Sequence, residues 1–70
     1  MSIRGVVKWF RTDLRYGFIQ PDTDDGSGDV FVSENLLAEL GIETLTAGQP
    51  VRFDAVPHHK GLRAVSLVVL

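Results

Sequence analysis

The seventy-residue chain has no cysteine, which excludes a disulfide framework and any thiolate metal site. Three prolines and one tryptophan are present, and no apolar run is long enough for a membrane span or for the core of a signal peptide. The expectation is therefore one small domain over residues 1–70, in a reducing cytoplasm, without metal or cofactor. A catalytic constellation is also lacking: no histidine has a recognisable nucleophile partner, and the carboxylates sit mainly in one loop and its neighbour. We expect no enzyme and no small-molecule substrate.

Base is missing from the middle of the chain. Residues 21–51 carry seven acids and no lysine or arginine, whereas residues 1–20 sum to +3 and residues 52–70 to +2. The formal net charge of −2 thus hides a segregation. Phosphate attraction depends on the local field within about 8–10 Å at physiological salt, so a basic patch works on an acidic protein.

The positive charge travels with aromatic residues. The stretch from Lys8 to Ile19 holds Trp9, Phe10, Tyr16 and Phe18, four of the six aromatics, together with Lys8, Arg11 and Arg15. At the two-residue period of a strand, Tyr16 and Phe18 fall on one face and Ile19 on the other. A separate stretch repeats this parity: if Val30 and Val32 join Ile19 in the core, Phe31 joins Tyr16 and Phe18 outside. Parity favours this arrangement over ordinary core packing of the rings. Exposed rings beside cations suit a flat anionic partner, and single-stranded RNA or DNA is of that kind.

Along the chain, Ile3 to Phe10 reads as a first strand whose alternation breaks at Val6-Val7 and Trp9-Phe10, which predicts a bulge or strong curvature. Tyr16 to Gln20 is a second strand closed by Pro21, and residues 22–29 form a polar loop. A calcium site in that loop would need Glu where Ser33 stands, so a polar turn is favoured. The third strand runs from Asp29 to Val32 or Ser33. Ser33 then caps a short helix with a Leu36, Leu37, Leu40 stripe, stopped by Gly41. Val51 to Val56 makes a fourth strand with Val51, Phe53 and Ala55 inward, Pro57 to Gly61 a turn, and Leu62 to Leu70 a fifth strand. His58 and His59 lack further ligands for a metal. The expected fold is all-β: a small five-stranded antiparallel barrel with one short helical turn after the third strand.

Five ordered segments carry a resemblance. Gly5-Val6-Val7-Lys8-Trp9-Phe10, Tyr16-Gly17-Phe18-Ile19-Gln20-Pro21-Asp22, Asp29-Val30-Phe31-Val32, Leu45 to Phe53, and Lys60-Gly61 followed by Ala64 resemble the bacterial cold shock proteins, OB-type barrels, over essentially the whole chain. The second and third segments correspond to the family's two ribonucleoprotein motifs. The resemblance implies binding of single-stranded RNA and DNA and an RNA-chaperone role. By position it implies stacking by Trp9, Tyr16, Phe18 and Phe31, with Lys8 and Lys60 near the backbone. Trp9 is put outside by resemblance only, since parity sets it beside Val7.

Two departures stand out. Leu14-Arg15 replaces the family's usual Lys-Gly, which moves a cation to Arg15 and sets a side chain where glycine is usual. Ser33 and Glu34 replace a histidine and an aromatic, removing two stacking partners at ~1–3 kcal/mol each. With the acidic middle and the three leucines, they motivate an alternative: a barrel that has moved toward protein contact or homodimerisation.

Overall fold

In the computed structural model, residues 2–22, 28–59 and 61–70 are described. The elements are β1 (Ile3–Arg11), β2 (Tyr16–Pro21), β3 (Val30–Ser33), α1 (Glu34–Leu40), β4 (Pro50–His58) and β5 (Gly61–Val69). They close a barrel in the order β1-β2-β3-β5-β4, with β1 completing the ring by pairing Ile3 with Phe53 and Gly5 with Val51.

Four of the five strand pairs are antiparallel, but β3 and β5 run parallel, pairing Val30 with Leu62 and Phe31 with Arg63. The expected antiparallel barrel is thus borne out for every pair but this one, for a geometric reason. Five strands closed into a ring cannot alternate direction at every step, so one neighbouring pair must be parallel.

The core follows the alternation. Val7, Ile19, Val30, Val32, Val51 and Phe53 are at most 1% exposed, and each such side chain contributes roughly 1.5–3 kcal/mol of burial. Ala55 is half-buried against them. Leu36 and Leu37 from α1, Leu45 from the following loop, and Ala64 and Leu67 from β5 complete the cluster. Leu40 does not join the stripe and remains 41% exposed; α1 ends at Leu40 with Gly41 at φ 72°. Ser33 Oγ accepts the Leu36 N–H at 3.3 Å, the expected cap.

β4 continues through Pro57 and His58, longer than the sequence suggests. Both residues pair across the hairpin, Pro57 with Leu62 and His58 with Gly61.

Candidate nucleic-acid interface

The break in alternation on β1 decides where Trp9 points. Val7 pairs with Ile19, but the next β2 residue, Phe18, pairs with Trp9, leaving Lys8 as the extra residue of a bulge. Parity is thereby shifted by one: Val7 is buried, Trp9 joins the face of Phe18, and Phe10 turns inward against the core. Gly17 makes this possible. A β-carbon at Gly17 would meet the Trp9 carbonyl oxygen, and Phe10 Cα at 2.7 Å, so β1 lies too close over β2 for any side chain there.

Four rings meet on the outer face. Trp9 lies 5.3 Å from Phe18 at 62° and 5.6 Å from Tyr16. Phe31, paired with Phe18 across β2–β3, lies 5.5 Å from Tyr16 and 6.0 Å from Phe18 at 73°. These separations fall in the range of favourable aromatic pairs. All four rings are half-buried, with part of their surface left to solvent.

The cations are arranged around this platform. Lys8 Nζ contacts Asp29 Oδ2 at 2.9 Å in a solvent-facing ion pair. Arg11 grips Asp13 in the β1–β2 turn through Nη2 at 2.6 Å and Nε at 3.1 Å. That side-chain hydrogen bond is the main reason the Asp13 carboxyl is held below its ordinary range. Arg15 is exposed and makes no ion pair among the described residues. Its backbone has φ 67°, the left-handed conformation that glycine adopts freely. Its N–H donates to the Arg11 carbonyl and its own carbonyl accepts the Glu34 N–H, both at 2.9 Å. Glu34 is the first residue of α1, with Ser33 as its cap.

The structure thus brings together Lys8, Trp9, Tyr16, Phe18 and Phe31, with Arg15 in the adjoining turn; Lys60 lies outside the described residues. Sequence reasoning missed His58, whose ring lies 6.0 Å from Phe31 at only 18°, and Arg63, in register with Phe31. Continued parity from Arg52 places His58 on the outer strand face, but its neighbour Phe31 belongs to a parallel pairing that local pattern does not reveal. A groove of about 460 Å³ opens beside Phe18, Phe31, His58 and Leu62. No metal-binding cluster occurs among the described residues, and Asp24 and Asp25 of the acidic loop lie outside them. No helix among the described residues is long and apolar enough to cross a membrane.

Residues 3–70 match the model of the 'Cold-shock' DNA-binding domain. A cold shock-like protein of Aquifex aeolicus is 47% identical over 70 residues, covering 100% of this chain and 97% of the relative. Cold shock-like protein CspC of Buchnera aphidicola is 44% identical and CspE of Escherichia coli 41%, each over 99% of this chain and 97% of the relative. The chain belongs to the cold-shock domain family.

Proposed function

We propose that the chain binds single-stranded RNA or DNA by stacking bases on Trp9, Tyr16, Phe18 and Phe31, and acts as an RNA chaperone. The observation that carries this is the packing of those four rings on one outer face across three strands. Every base offers a flat face to an aromatic ring, so such a platform is tolerant of sequence. Lys8 and Arg15 are proposed for the sugar-phosphate backbone, and Lys60 by its place in the family's pattern. Lys8 is to exchange Asp29 for phosphate, since an exposed ion pair is worth only ~0–1 kcal/mol.

No catalytic step is needed. Binding the open strand and not the duplex removes unpaired strands from the pairing equilibrium by mass action. We assign no enzymatic activity, no small-molecule substrate and no cofactor, and place the protein in the cytoplasm. The self-association reading is not favoured, because Leu36 and Leu37, two of the leucines that motivate it, are buried in the barrel core.

The test is competition. A labelled single-stranded oligonucleotide retained by the protein should be displaced by unlabelled single strand and not by its duplex, with retention falling as salt rises. Equal displacement by duplex sinks the proposal.

A further inference from the structure

The aromatic face does not stop at Phe31. Strand register aligns Phe31 with Arg63 across the parallel β3–β5 pair, and Arg63 with Val56 across β4–β5. In-register residues share a face, and residues two apart on one strand do as well. His58, two positions beyond Val56, therefore extends the same outer face. Its ring lies nearly parallel to Phe31, with 6.0 Å between centroids and 18° between planes, and the His59 ring follows 4.6 Å further on. Both histidines are exposed. Toward α1, by contrast, positions 33 and 34 offer serine and glutamate and no ring. The flat surface thus grows toward the β4–β5 hairpin.

The groove there has room for a ligand. Its volume of about 460 Å³ lies within the roughly 300–1,000 Å³ of small-molecule sites, and its lining is mainly apolar, from Phe18, Phe31 and Leu62, with Gly61 adding no side chain. Asp29 is the acid on its rim, and it is engaged by Lys8. Arg63 is not part of this lining; it borders a separate depression beside α1 with Ser33, Asn35 and Glu39.

We infer that His58, stacked beside Phe31, forms an additional subsite for one nucleobase at the β4–β5 end of the platform. This rests on the single-strand reading above. His58 takes the base by its imidazole face, as histidine does with unpaired bases. The histidine ring is in that case the residue that sets how far along the strand the protein reaches.

Fluorescence anisotropy with labelled oligothymidylates lengthened one nucleotide at a time tests this. For the parent protein, affinity should climb with length until the subsite is filled. His58→Ala should remove the last step and weaken binding of the longest oligonucleotide about 5–10-fold, leaving short ones unchanged, while His58→Phe restores the step. Because His58 is exposed, the melting temperatures of its variants should match the parent. Parent binding with an unchanged length profile in His58→Ala overturns the subsite and leaves the single-strand reading intact. A parent that binds no oligonucleotide of any length overturns both.

Discussion

On the inner face of β1, β2 and β3, Val7, Ile19, Val30 and Val32 are at most 1% exposed. One residue away along β2 and β3, and one bulge away along β1, the outer rings of Trp9, Tyr16, Phe18 and Phe31 are only half-buried. The inner residues are aliphatic and β-branched, and they interdigitate with Phe53 and Leu37 from the rest of the barrel. The outer residues contact chiefly one another, edge to face or tilted. Burial on the inside is completed by folding, whereas the ring surface outside stays partly uncovered and is the part proposed to take bases. The same strands thus separate the core from the proposed binding face by the direction of a side chain.

The comparison is broken most forcefully from the inside. Ile19→Ala leaves a cavity in a fully packed core and should cost ~2–5 kcal/mol in chemical denaturation, with the affinity of the remaining folded protein unchanged. Phe18→Ala inverts this pattern. It should weaken oligonucleotide binding by ~1–3 kcal/mol, read by anisotropy, and lower stability less than Ile19→Ala does.

Smaller effects sharpen the boundary between the two faces. Arg15→Gly relieves a left-handed residue with a β-carbon, a gain of ~1–2 kcal/mol offset by ~0.4–1 kcal/mol of added unfolded-chain entropy. A net rise in stability of on the order of 0.5–1 kcal/mol is expected from those two terms, together with a slightly shallower salt dependence of binding. Asp29→Asn releases Lys8 from its ion pair and should tighten binding at low salt by at most ~1 kcal/mol, with the gain vanishing at high salt.

Much of this division is legible in the sequence. Ile19, Val30 and Val32 alternate with Phe18, Phe31 and Gln20, and that period places the rings outside before any tertiary contact is known. Trp9 is different, because its side depends on a bulge at Lys8 that local alternation signals as a break but does not resolve in direction. The Lys8–Asp29 pair joins residues twenty-one apart in the chain, and the His58–Phe31 stack depends on bringing the β4–β5 hairpin beside β3. Both are products of barrel closure, which no local pattern contains. Leu40 shows the reverse error: its spacing fits an apolar stripe, yet it stays exposed at the last position of a helix of seven residues.

The central claim is that the outer rings are a surface for unpaired bases, and Trp9, the chain's single tryptophan, reports on it directly. Its fluorescence should be followed while an oligothymidylate, and separately a mixed RNA, is titrated at low and at physiological salt. Saturable quenching that weakens as salt rises, in proportion to the phosphates contacted, is the predicted result. A folded protein whose Trp9 emission is unmoved by either nucleic acid at low salt would contradict the account.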